Sequence, residues 1–308
     1  MKLIKPSFEI LKQSEGLEGI FKQIEIAGRT CYKSEDKITE DSAQEFVERM
    51  IKLGHRAMLE QGTVYLSHPI ENIAKPDYQG IGNKYRENKY SKVVSDNWGT
   101  KYITTNYRVL VENGWLDDLK YICEPTEFHA KRTTVKFICD IGISREFNRH
   151  RANSPAEQST RYCNYTKNKF NNEISIIQPE EILTSEISEC KNSWVPRIED
   201  KTLREDTLFK AMCDSICNNT GQQFGIIDTW MFANLASQWS YNQLINLGWT
   251  AQQARRVLPL DLQTELIHTA FDSDWRHFFD LRTPQSAHPQ ARELAIPLEE
   301  EFIKLGKI

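Results

Sequence analysis

Within thirteen positions the chain gathers Arg149, His150, Arg151 and Arg161 around the carboxylate of Glu157, the amide of Gln158 and the hydroxyls of Ser154 and Ser159. From His129 to Phe170 there are nine Lys or Arg against three acids, in a chain whose formal net charge is −4. A net-acidic surface does not attract nucleic acid strongly, so this local excess points to a confined anion site and not to a nucleic-acid face. It also constrains the backbone. Proline disfavours helix in the residue before it, so Ser154-Pro155 must end any helix that carries Arg149 and His150. A helix is predicted over 141–151, and AEQSTRY should begin as a loop. On that helix Ile143, Phe147 and His150 share one stripe while Arg145 and Arg149 fall at i and i+4 on another. Like charges at that spacing oppose a helix by roughly 0.2–0.5 kcal/mol. Two accounts stand at this point: a solvated face on which Glu146 screens Arg149, or an anion that compensates both arginines.

The loop shifts the balance. Ser159 and Arg161 alternate along an extended stretch and should face one side, where a hydroxyl and a planar guanidinium fork suit a phosphate. Glu157 and Gln158 offer groups that read a heterocycle edge or a ribose. Elsewhere, in DSDWRHFFDLR (272–282), Trp275, Phe279 and Arg282 fall at i, i+4 and i+7, so Arg282 ends a core-facing stripe and needs a partner. An acidic side chain would be the structural partner, a ligand carbonyl or phosphate the functional one. His277 lies on roughly the opposite face, as a surface residue or a neighbouring-subunit contact. In ARRVLPL (254–260) the adjacent Arg255 and Arg256 cannot share a helix face, and one should point inward.

The 308 residues are enough to bury a sizeable core. The longest apolar runs are too short to span a bilayer, and MKLIKPSFEILKQSEG lacks the apolar stretch of a signal peptide. A cytoplasmic protein without membrane or nucleic-acid partners is expected. The cysteines, 31, 123, 139, 163, 190, 213 and 217, are odd in number and show no CxxC spacing, and the seven histidines show no HExxH, so no metal is predicted. GxGxxG, GxxxxGK[ST] and GxSxG are absent, which removes a Rossmann fingerprint, a P-loop and a nucleophile elbow.

Periodicity predicts helices over 15–32 and 40–53, a strand at TVYLSH (63–68), a buried strand at TVKFICDI (134–141) and a strand at EISIIQP (173–179). KLIKPSFEIL reads as an edge strand. The remainder reads as mostly helical, over 204–219, 227–247, 250–257, 272–282 and 288–305, with Thr250 and Asp272 as N-caps. Residues 71–128, polar and weakly periodic, read as an insertion with some helix of its own, within one domain spanning 1–308.

These segments resemble one family. Arg149-His150-Arg151, seven residues, then Ser159 matches the RHR-x7-S signature of flavin-dependent thymidylate synthases, and Arg161-Tyr162 continues it. AGRTCY (27–32), Gly54-His55 with Glu60, ARRVLPL, and WRHFFDLR followed by His288 resemble further family segments in the family's order. The resemblance covers roughly 20–70 and 130–295. It implies an α+β fold, a mixed sheet with flanking helices, assembled as an obligate oligomer, a homotetramer. It implies reductive methylation of dUMP to dTMP, with methylenetetrahydrofolate as carbon donor and NADPH-reduced FAD as hydride donor, and no cysteine nucleophile. A relative acting on another pyrimidine nucleotide, such as dCMP, is the alternative. By position, Glu146, Arg149, Glu157, Gln158, Ser159, Arg161, Arg255 and Arg282 correspond to dUMP-binding residues, with Arg282 catalytic through polarisation of the uracil. His55, Glu60, Arg149, His150, Arg151, Glu157, His277 and His288 correspond to FAD-binding residues. The chain departs from the family at Ala57, Ala156, Phe271 and Ser273.

Overall fold

A computed structural model describes residues 1–69, 81–179 and 226–308. The helix expected over 204–219 and Cys190, Cys213 and Cys217 lie outside the described residues. Contacts group the chain into two compact units. One comprises Met1–Pro6, Ile138–Arg145 and Ser159–Thr264; the other comprises Ser7–Phe137, Glu146–Gln158 and Glu265–Ile308. The architecture is mixed α+β, sheets with flanking helices. Among the described residues no helix is long and apolar enough to cross a membrane.

The larger unit opens with a strand, β2 (Ser7–Leu11), which follows β1 (Lys2–Ile4) after a break at Lys5-Pro6. Helix α1 (Gly16–Tyr32) buries Ile20, Ile24, Ala27, Gly28 and Cys31, the spacing of one helical face. Helix α2 (Ser42–Lys52) answers with Ala43, Phe46, Val47 and Met50. The two helices approach closely because position 28 has no side chain: a Cβ there would lie 2.4 Å from Phe46 Cζ. Lys33, at φ 48°, closes α1 in the left-handed conformation.

Strand β3 (Thr63–His68) forms where it is expected. The region read as an insertion is more ordered than its composition suggests. It contains α3 (Ile81–Arg86), β4 (Lys92–Ser95), β5 (Lys101–Asn106) and α4 (Tyr107–Asn113), and the antiparallel order β3-β5-β4 places β5 at the centre of a sheet. Tyr85, Ile103, Tyr107, Val109 and Leu110 join Ile20, Ile24, Phe46 and Leu66 in one core. The strands escaped sequence reading because KYITTN buries Thr104, Thr105 and Asn106 as well as Ile103, which erases the polar–apolar alternation.

A second sheet carries the charged segment, in the order β2-β6-β9-β7: β6 (Arg132–Asp140), β7 (Ser154–Glu157) and β9 (Gln263–Phe271). Two expectations fail here. The helix α5 (Ile141–Phe147) stops four residues early, so Arg149 and His150 sit on the turns that follow it, and the i, i+4 relation of Arg145 and Arg149 does not arise. The stretch after Ser154-Pro155 begins as strand β7, not loop. Gln158 N donates to Glu265 O (2.8 Å), and β7 pairs antiparallel with β9 in the register Ala156↔Ile267 and Pro155↔His268. Backbone groups alternate in direction along a strand, so Gln158 and Ala156 point into the ladder and Pro155 points out. Its missing N–H falls on the outer edge, where proline is tolerated.

Strand β9 was not foreseen. Thr264, Glu265, His268 and Thr269 are all buried in it. They are satisfied by partners that no sequence pattern shows: Thr269 Oγ1 takes a hydrogen bond from Thr134 (2.8 Å) and donates to Gln61 Oε1 (2.6 Å), whose amide nitrogen donates to Ser154 O (2.8 Å). Next, α8 (Asp272–Arg282) has Phe271, not Asp272, at its N-cap; Asp272 opens the first turn and accepts from Thr133 Oγ1 (2.6 Å). Trp275, Phe278 and Phe279 pack with Phe137, Phe147 and Phe302, the last from α9 (Pro289–Lys304).

In the other unit β1 runs parallel to β8 (Ser175–Ile177), with Leu3 opposite Ile176. Helix α6 (Ile226–Asn246) contributes Tyr241 to a core with Tyr165, Ile174, Ile176 and Leu262. The short α7 (Ala251–Ala254) starts with the expected Thr250, in a capping box with Gln253.

Candidate active site

Burial of Trp275 and Phe279 fixes the rotation of α8 and draws Arg282 inward; its side chain is 12% exposed. The partner is acidic and comes with two more acceptors. Nη1 donates to Glu146 Oε2 (2.7 Å), Nη2 to Glu146 O (2.7 Å), and Nε to His150 Nε2 (2.9 Å). A guanidinium only donates, so His150 Nε2 must be the lone pair of a neutral ring with its proton on Nδ1. The electrostatics agree: burial, then the charges of Arg282 and His277, lower the His150 pKa to about 4, against the opposing pull of Glu146. His277 is exposed, with its ring 6.0 Å from that of His150.

Beside this cluster, Asn148 Nδ2 donates to Glu157 Oε2 (2.9 Å). Gln158 is buried, and the strand residue to which its backbone is clipped, Glu265, is held by Lys33 and by Lys136 Nζ (2.6 Å). Burial would raise the Glu265 pKa, but hydrogen bonds and charge from Lys136 and Lys33 outweigh it and hold the carboxyl below its ordinary value. Arg149 and Arg151 project from the turns, exposed, with no side-chain partner among the described residues.

His55 and Glu60 lie on the segment between α2 and β3. The Tyr32 hydroxyl is 2.7 Å from His55 Nδ1, and Glu60 pairs with Arg108 Nη1 (2.5 Å). Arg132, which sequence reading passed over, is half-buried here and donates to Thr63 Oγ1 (3.2 Å) and Glu60 O (3.2 Å); desolvation of its guanidinium lowers its pKa to about 10. A lone arginine opening the apolar strand β6 was the available signal. Lys92 Nζ meets Ser273 Oγ (2.5 Å) and lies over the Phe271 ring (4.2 Å), so both departures from the family pattern have partners within the chain. His288 is exposed at the cap of α9.

In the other unit Ser159 and Arg161 do not alternate along an extended segment. They occupy a turn, in which Ser159 Oγ accepts from Arg161 N (3.3 Å) and Ser159 O accepts from Tyr162 N (3.1 Å). A hydroxyl that bonds its own backbone two residues on favours that turn over extension. Arg161 Nε donates to Gln252 Oε1 (2.6 Å), and Arg255 Nη1 to Thr160 Oγ1 (3.3 Å). Arg255 and Arg256 are both exposed, because α7 gives way to a short 3-10 turn at Arg255 and neither side chain is carried into the core.

A family profile described as "Thymidylate synthase complementing protein" matches residues 101–305, more than half of the chain. The chain belongs to the flavin-dependent thymidylate synthase family. It is thereby an enzyme of the nucleotide-methylating type. Two crystal structures of a UMP/dUMP methylase, PolB from Streptomyces cacaoi, are similar. The one with 5-Br dUMP shares 15% identity over 99% of this chain and 93% of that one, at a TM-score of 0.39. The one with 5-Br UMP shares 14% over 99% and 92%, also at 0.39. No curated protein matches. As a member of the flavin-dependent thymidylate synthase family, the chain carries its RHR segment, β7, Arg255 and Arg282 inside the matched residues, and His55 and Glu60 outside them. The exposed guanidinium groups of Arg149 and Arg151 are a donor set that fits an anionic, phosphate-bearing cofactor such as FAD.

Proposed function

We propose that this chain is a thymidylate synthase that converts dUMP to dTMP with methylenetetrahydrofolate, NADPH and FAD, working as a homotetramer in the cytoplasm. The observation that carries the reading is the joining of Arg282 to Glu146 and His150, which ties the end of α8 to the RHR segment inside the family match. When bound and reduced, the flavin supplies the hydride. The residues of the chain bind and polarise. Arg149 and Arg151 hold the cofactor, joined by His55, Glu60, His150, Glu157, His277 and His288. Glu146, Arg149, Glu157, Gln158, Ser159, Arg161 and Arg255 hold the nucleotide, with Arg161 and Arg255 as phosphate donors.

Arg282 has five N–H groups, three of which are taken by Glu146 and His150. The other two remain for a uracil carbonyl. A cation so placed stabilises negative charge developing on the ring and favours loss of the N3 proton. The neutral His150 accepts from Arg282, fixing the guanidinium plane without competing for the substrate.

The test is an absorbance spectrum of the purified protein, dUMP titration, and NADPH oxidation with methylenetetrahydrofolate, with dCMP assayed in parallel and sedimentation velocity for the assembly. Bound flavin perturbed by dUMP and coupled to dTMP formation supports the reading. A colourless protein that neither takes up FAD nor responds to dUMP overturns it, and turnover of dCMP alone replaces the substrate.

A further inference from the structure

His268 lies at the centre of the sheet, on β9, fully buried, and has no part in the roles assigned above. Both ring nitrogens are engaged. Nδ1 is 3.2 Å from Asn153 Nδ2, and Nε2 is 3.2 Å from Asn148 Oδ1. Asn148 in turn reaches Glu157 Oε2 through Nδ2 at 2.9 Å. The four side chains form one line: Asn153, His268, Asn148, Glu157.

The carboxylate end sets the direction of every bond in this line. An ionised carboxylate only accepts, so Asn148 must present Nδ2 to Glu157 and Oδ1 to His268. His268 Nε2 must then carry the proton, leaving Nδ1 as the lone pair that accepts from Asn153 Nδ2–H. The ring is therefore neutral, in keeping with its burial, which lowers its pKa to about 3. Asn153 pays for this orientation: its Oδ1 is buried without a hydrogen-bond partner among the described residues. A buried acceptor left unsatisfied opposes folding, so the local arrangement serves the line at some expense to stability.

We propose that His268 and Asn148 are positioning residues for the pyrimidine nucleotide, acting in series to fix the carboxylate of Glu157. The proposal rests on the reading of Glu157 as a nucleotide-binding residue. Glu157 closes β7, and Gln158 N carries the ladder one step past it to Glu265 O (2.8 Å), so the carboxylate stands at the end of a paired strand. Asn148 holds one carboxylate oxygen from behind, and His268 prevents the Asn148 amide from turning over. Asn148 also immediately precedes Arg149, so the same contact ties the turn bearing the RHR segment to the nucleotide-binding strand.

The experiment compares the holoenzyme with N148L, H268Q, H268L and N148L/H268L. For each, dUMP binding is read from flavin absorbance, alongside KM for dUMP and NADPH, kcat and thermal midpoint. Loss of a hydrogen bond to a charged group predicts about a ten-fold rise in Kd and KM for dUMP in N148L, with KM for NADPH unchanged. H268Q, whose amide nitrogen reaches the place of Nε2, retains dUMP affinity. H268L matches N148L, and the double variant is no weaker than N148L alone, since residues in series do not add. If H268L does not fold, N148L, at a partly exposed position, still decides. A lower thermal midpoint in N148L with unchanged KM for dUMP makes the line structural only and overturns the proposal, as do additive losses in the double variant. Wild-type holoenzyme that does not bind dUMP overturns the functional reading and this proposal together; wild-type binding with an indifferent N148L overturns this proposal alone.

Discussion

Arg282 meets Glu146 twice, through the carboxylate at 2.7 Å and through the backbone carbonyl at 2.7 Å. A side chain bonded to both parts of one residue cannot follow a rotamer change without breaking a contact, so the guanidinium is held in place before any substrate arrives.

Removing it should separate chemistry from cofactor binding. R282A is expected to lower dTMP formation by roughly 10²–10³-fold, the usual effect of deleting one preorganised donor, while the purified protein keeps its flavin. Product assays and the ratio of flavin to protein absorbance check this; normal turnover in R282A removes the residue from catalysis.

Acid should loosen the larger unit through two histidines. Their folded pKa values, about 4 for His150 and about 3 for His268, lie below the ordinary 6.5. The unfolded chain therefore binds these protons first. Their contribution to stability is complete above pH 6.5, falls as pH drops, and is exhausted below the folded values, with a slope of at most about 1.4 kcal/mol per pH unit for each. The direct readout is an NMR titration of the ring protons: neither histidine should titrate above pH 5, and an inflection near 6.5 for either would contradict the burial argument.

The contact between α1 and α2 predicts a cost for the smallest possible change. G28A places a methyl group against the Phe46 ring, which must shift. Overpacking of this kind costs about 1–3 kcal/mol, measurable as a lower urea midpoint with an unchanged slope. A midpoint equal to that of the wild type would mean the ring has room to move.

Arg149 and Arg151 should matter for the cofactor and not for the fold, because both are exposed and unpartnered among the described residues. R149A and R151A are each expected to weaken FAD binding about ten-fold, as for loss of a charge-assisted hydrogen bond, with the thermal midpoint of the apoprotein unchanged. Titration of apoprotein with FAD at two salt concentrations tests this, since the wild-type affinity should fall more steeply with salt.

The charged segment and α8 were legible because their signals are local. Helical spacing of Trp275, Phe279 and Arg282 announced an arginine drawn toward the core, and the arginine is there with an acidic partner. Helices α1 and α2 and strand β3 likewise follow from periodicity. What could not be read depends on neighbours distant in sequence. Thr269 is acceptable in the interior of β9 only because Thr134 and Gln61 receive it, and in β5 the buried Thr105 hydroxyl is likewise met by Ser91 Oγ (2.8 Å). The turn at Ser159 is decided by one hydroxyl choosing its own backbone, and α5 ends at Phe147 although RHR continues a plausible helix. Sequence spacing names the residues of the RHR segment; the sheet decides which of them meet.

Pro155 bears on how copies of this chain can meet. It stands on the outer rim of β7, with its nitrogen turned away from β9. A strand from another molecule laid against that rim would find a gap in the row of donors where a continuous seam requires one. Among the described residues the sheet ends at β7, and Pro155 works against a further strand being added along that edge.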